Sequence, residues 1–103
     1  MPLPPESHHE DALPRPCVLL ELDFVRDTLF GPMAQHAECQ VQLAAINLQG
    51  RPALRLHIQP PLPVKMEKAH SVAFAWEGRS YRGLVRDSVK CGDGGINLLL
   101  ELQ

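Results

Sequence analysis

The chain has 103 residues, of which 45% are hydrophobic and 21% charged, and its formal net charge is −2. This is enough for one compact domain and too few for two, and the composition excludes wholesale disorder and a polyanion-binding tail. No apolar run approaches the roughly 18 residues of a spanning helix, and the N-terminus lacks the apolar core of a secretory signal.

Residues 1–16 hold five of the ten prolines together with His8, His9, Glu10 and Asp11. Proline lacks a donor and fixes φ, so this stretch is expected to be a disordered, acidic N-terminal tail, with the domain over residues 17–103. Imidazole and carboxylate side chains are metal ligands, but without a rigid scaffold His8 to Asp11 is not expected to hold an ion. Residues 1–38 carry seven acids and two bases, and residues 39–103 carry five acids and eight bases. The C-terminal part is therefore the anion-friendly one.

From Val18 to Val25 apolar residues recur at every second position, which predicts a strand with one buried face. Arg26 to Ala37 contains the breaker Gly31-Pro32 and is expected to be a loop or a short helical turn. Cys39 to Ile46 predicts a strand, Asn47-Leu48-Gln49-Gly50 a turn, and Ala53 to Ile58 the return strand. On that strand Leu54, Leu56 and Ile58 face inward, with Arg55 and His57 facing out. Gln59-Pro60-Pro61-Leu62-Pro63 ends the sheet locally. Val72 to Trp76 and Ser80 to Val89 form a second hairpin about Glu77-Gly78, with Phe74 and Trp76 expected in the core. Gly92-Asp93-Gly94-Gly95 is a turn, and Ile96 to Leu102 is a last strand apolar enough to lie between two neighbours. It is also apolar enough to pair with a second copy. Six strands joined by short turns predict an all-β fold, a small antiparallel six-stranded β-barrel.

Catalytic signatures are absent. No Gly-x-Ser-x-Gly elbow and no phosphate-binding loop before a helix occur, and His36, His57 and His70 stand apart in sequence. The chain is therefore expected not to be an enzyme. The three cysteines, Cys17, Cys39 and Cys91, lie singly, so neither a disulfide framework nor a Cys-x-x-Cys metal site is expected. Reduced thiols point to a cytoplasmic protein, with Cys91 the best placed for redox chemistry. Nucleic-acid binding is disfavoured by the scarcity of aromatic residues and by the net acidity.

From Cys39 to Leu102 the layout resembles a PilZ-type domain, the bacterial six-stranded split barrel of cyclic di-GMP signalling. Gln40 to Gly50 is similar to its first hairpin. The return Leu54-Arg55-Leu56, the Pro-Pro-Leu-Pro connector, the hairpin of Ser71 to Val85 and the strand Ile96 to Leu102 follow in the family's order. The N-terminal domain of flagellar-brake proteins has the same layout. The family's ligand motifs are Arg-x-x-x-Arg followed by Asp/Asn-x-Ser-x-x-Gly. The second aligns with Ala45 to Gly50, where Gly50 matches, Ala45 replaces the acid and Asn47 replaces the serine. No Arg-x-x-x-Arg precedes it. Arg82 and Arg86 fit that pattern inside a later strand, about 13 Å apart at strand rise.

The resemblance thus implies a regulatory adaptor for a bacterial signalling or motility apparatus. It would act by protein contact, have weak or absent cyclic di-GMP binding, need no other cofactor and not insert into a membrane. Contact residues are expected among Leu62, Pro63, Val64 and Met66 of the connector and along Leu29 to Met33. The alternatives are a true cyclic di-GMP receptor, using Asn47, Gly50, Arg51, Arg55, Arg82 and Arg86, and a small-barrel nucleic-acid binder.

Overall fold

The computed structural model describes residues 17–103. The expected tail and its His8 to Asp11 group lie outside the described residues. Six strands follow in chain order: β1 (Val18–Thr28), β2 (Gly31–Leu48), β3 (Arg51–Ile58), β4 (Ser71–Trp76), β5 (Arg79–Lys90) and β6 (Ile96–Leu102). One 3-10 turn, Met66–Lys68, interrupts the β3–β4 connection. All neighbouring pairs are antiparallel, and the sheet closes in a ring ordered β1-β2-β3-β6-β5-β4. The apolar last strand lies between β3 and β5, as its composition predicts.

Alternation places one apolar face of each strand inside. Leu20, Leu22 and Phe24 of β1 meet Val41 of β2, Leu56 and Ile58 of β3, Val72 and Phe74 of β4, and Ile96, Leu98 and Leu100 of β6. No polar or charged residue is buried among the described residues. Burial on this scale, at roughly 25 cal/mol per Å² of apolar surface, is the main favourable term holding the ring closed. Trp76, expected in the core, is only half-buried and packs at its edge.

Arg26 to Ala37 is neither loop nor helix. It forms the end of a long β1–β2 hairpin, paired from Val18↔Val41 to Thr28↔Gly31. Gly31, at φ 106°, supplies the backbone angle of the turn, and the Thr28 hydroxyl accepts from the Phe30 N–H at 3.1 Å. Pro32 is tolerated for a reason that pairing makes plain. Gln59 N–H donates to the Gln40 carbonyl, so even-numbered residues of β2 turn their backbone groups toward β3. β3 pairs only with residues from Val41 onward, so the missing N–H of Pro32 falls on an open edge.

Two glycines set close approaches. A Cβ on Gly83 would lie 2.9 Å from Leu100 Cβ, and one on Gly95 would lie 2.5 Å from the Ile58 carbonyl oxygen. Beyond Val85 the pairing of β5 with β6 skips Arg86, so Val85 faces Leu100 while Asp87 faces Leu99. Such a bulge re-aims the side chains that follow it. Met66, expected on a contact surface, is fully buried instead. The 3-10 turn after Lys65 (φ 64°) swings its side chain into the core, where an unbranched thioether fills the space left by the strands. Among the described residues no helix is long and apolar enough to cross a membrane.

Candidate functional site

The six residues proposed for ligand binding do not converge. Asn47 and Gly50 build the β2–β3 turn. Asn47 Oδ1 accepts from Gly50 N–H at 2.7 Å, and Gln49 and Gly50 take φ of 54° and 84°. This is the two-residue turn that matches the twist of a hairpin. Arg51 and Arg86, 35 positions apart in sequence, are drawn together by one carboxylate. Arg51 donates to Glu101 Oε2 at 2.6 Å, and Arg86 lies 2.9 Å from Oε1. The Arg51 hydrogen bond, helped by both positive charges, holds the Glu101 carboxyl below its usual range. A phosphate approaching this pair meets a carboxylate already in place.

Arg55 is exposed on the outer face, opposite Ala44 on one side and Leu99 on the other. Arg82 is exposed beside Ala73 of β4. On the sheet they lie about 16 Å apart, two strand spacings across and four residues along, since Arg55 is level with Leu99 and Arg82 with Gln103. That is too far for one pair of phosphates to be clamped between them.

His57 is only partly exposed. Its Nδ1 lies 2.7 Å from Asn97 Oδ1, its Nε2 lies 3.4 Å from Asp93 Oδ2, and Cys91 Sγ is 3.8 Å from Nδ1. Three elements make this cluster. The β3–β6 register sets His57 opposite Asn97, and the Cys91 to Gly95 turn folds Asp93 back, with Gly95 N–H donating to Asp93 Oδ1 at 2.8 Å. That bond first, with His57 nearby, keeps the Asp93 carboxyl below its ordinary value. A Cys–His dyad needs a free imidazole lone pair facing the thiol. Here Nδ1 is 2.7 Å from Asn97 Oδ1, and the Cys91 thiol stands farther off at 3.8 Å. The three cysteines are free, with Cys17 exposed and Cys39 buried. Burial pushes the Cys39 thiol up. Among the described residues no group of three or more His, Cys, Asp or Glu is placed to hold a metal.

Apolar exposure is concentrated at the tip of the β1–β2 hairpin. Leu29 and Phe30 are each 98% exposed, and Met33 is partly exposed beside them. In the connector Val64 is exposed, whereas Leu62 packs against the core. Pro63 is half-buried and accepts from Met66 N–H at 3.2 Å. A cleft of about 640 Å³ lies beside the β1–β4 seam, lined by Leu20, Glu21, Asp23, Phe74, Tyr81 and Arg82 among others. Sequence reasoning missed both the Glu101 bridge and the His57 cluster. They join residues 15 to 50 positions apart, and only the register brings these together. Comparison with family models, curated proteins and solved structures finds no match for this chain.

Proposed function

We propose that the chain is a PilZ-like regulatory adaptor of the bacterial cytoplasm, a non-enzymatic split barrel that works by protein contact. The observation that carries this reading is the Leu29–Phe30 tip. A two-residue turn at the end of a hairpin needs no apolar side chains for its own fold, and here both project almost wholly into solvent. Large apolar groups presented on a stiff element are anchors for a partner's pocket. The occupied carboxylate between Arg51 and Arg86 and the distance between Arg55 and Arg82 favour weak or absent cyclic di-GMP binding.

Two measurements test it together. Cyclic di-GMP is titrated into labelled protein while amide shifts are followed, and a photo-crosslinking side chain replaces Phe30 in cells. The expected result is no saturable shift near Gly50, Arg55 or Arg82 below millimolar ligand, with a discrete protein adduct from position 30. Saturable shifts there at micromolar ligand would make the chain a nucleotide receptor. Absence of an adduct would remove the tip as a contact.

A further inference from the structure

The ring is closed unevenly, and the gap has a defined chemistry. β1 and β4 pair only over Asp23↔Ala73, Phe24↔Val72 and Val25↔Ser71. Odd-numbered residues of β2 serve β1, because the even ones serve β3, and β1 meets them with its even-numbered residues. The odd-numbered residues of β1 therefore direct N–H and C=O toward β4, as the bond from His70 N–H to the Val25 carbonyl shows. Below Asp23 this ladder stops. The backbone groups of Leu19 and Glu21, and of Ala75 across the gap, face the cleft with no strand partner among the described residues. An open strand edge is a template for another strand.

The side chains along this edge alternate. Leu20 and Phe74 are buried at the floor, with Tyr81 half-buried beside them. Leu19, Glu21 and Asp23 are exposed on the outer side, and Glu38 stands opposite Glu21 on β2. His36 lies between Asp23 (2.6 Å) and Glu21 (3.6 Å), and Arg82 lines the far wall. A strand added to β1 sets its outward side chains directly beside Leu19 and Glu21, with Asp23, already paired to Ala73, diagonal to them.

We infer that the β1 edge at the β1–β4 seam accepts an extended basic segment of a partner protein by β-augmentation. Its apolar side chains lie over Leu20 and Phe74, and its lysines or arginines lie beside Glu21 and within diagonal reach of Asp23. Charge decides the occupant. A second copy pairing β1 with β1 would bring Glu21 and Asp23 against their own counterparts, and like charges across a pair are destabilising. Residues 1–16 carry three acids, one base and five prolines, the opposite charge and the wrong residue for donating to an edge. This site stands on the gap in the ring and is independent of the adaptor reading and of the Leu29–Phe30 tip.

The test uses the full chain and a capped octapeptide of alternating valine and lysine, followed by amide shifts and by sedimentation. Two control peptides replace lysine by glutamate or carry N-methyl groups on alternate amides. The expected result is saturable shifts at Leu19, Glu21 and Ala75. The glutamate peptide should bind at least tenfold more weakly and the N-methylated one not at all, since it lacks the ladder donors. Glu21→Lys, at an exposed site that leaves the core intact, should reverse the charge preference. Four outcomes each overturn the proposal: no shift up to millimolar peptide, shifts confined to other strands, an unchanged preference in Glu21→Lys, or a dimer whose interface gives the same shifts.

Discussion

His36 sits on the outer face of the β1–β2 ribbon with carboxylates around it. Its hydrogen bond to Asp23 is the largest effect and raises its pKa above the ordinary 6.5; desolvation, next in size, opposes it, and the charges of Asp23, Glu21 and Glu38 add to the rise. Arg82, on the far wall of the same cleft, is the cation facing this group. A raised folded-state pKa means the protonated form is favoured by folding. The stabilisation is complete below the unfolded value and is lost as pH rises through the folded one. His36→Gln is therefore expected to lower the melting temperature near about pH 5.5 and to leave it unchanged near about pH 9, where both forms are neutral. Equal effects at both pH values would assign His36 a packing role instead. Nothing local in the sequence reveals this arrangement. Asp23 is 13 positions from His36 and becomes its direct partner only through the hairpin register.

At the scale of elements, the long hairpin and the short 3-10 turn exchange the roles their sequences suggest. Gly31-Pro32 reads as a breaker and becomes a turn followed by an edge position of β2. Val64 and Met66 both read as connector surface, yet the left-handed Lys65 turns Met66 inward and leaves Val64 outside. Met66→Ala is expected to cost about 2–5 kcal/mol in urea unfolding, the range for deleting a buried long aliphatic side chain. Val64→Ala, at an exposed position, should change stability by less than about 0.5 kcal/mol. A neutral Met66→Ala would restore Met66 to the contact surface. The turns themselves were legible, because Asn47 to Gly50, Glu77-Gly78 and Gly92 to Gly95 act through backbone angles that a few adjacent residues decide.

Across the whole molecule, pairing is dense on one side of the ring and interrupted on the other. β3 and β6 are paired on both edges, whereas β1 and β4 share three residue pairs. Local opening draws on the least supported backbone. Native-state hydrogen exchange is expected to be slowest at the amides of Leu56 and Leu98 and to be fast at Leu19, Glu21 and Ala75. Protection of Leu19 equal to that of Leu56 would show the seam closed in solution. The extents of 57 × 30 × 26 Å carry the same asymmetry, since the β1–β2 hairpin extends past the core and puts Leu29 and Phe30 far from the other strands.

The strands and most of the turns follow from the sequence alone. Period-two alternation over Val18 to Val25 and Ala53 to Ile58 forces one face inward, the nearly unbroken apolar run of Ile96 to Leu102 places that strand between neighbours, and burial of Leu22, Leu56 and Leu98 is the same fact seen in three dimensions. What tertiary structure decided is everything that depends on which strand lies beside which, and in what register. Glu101 bridges Arg51 and Arg86, His57 meets Asn97, Asp93 and Cys91, and β1 parts from β4 below Asp23 only because the ring closes with one particular stagger. Alternation fixes which side of a strand is wet. It carries no information about how far one strand slides along another, and that slide sets both the charge pairs and the open edge.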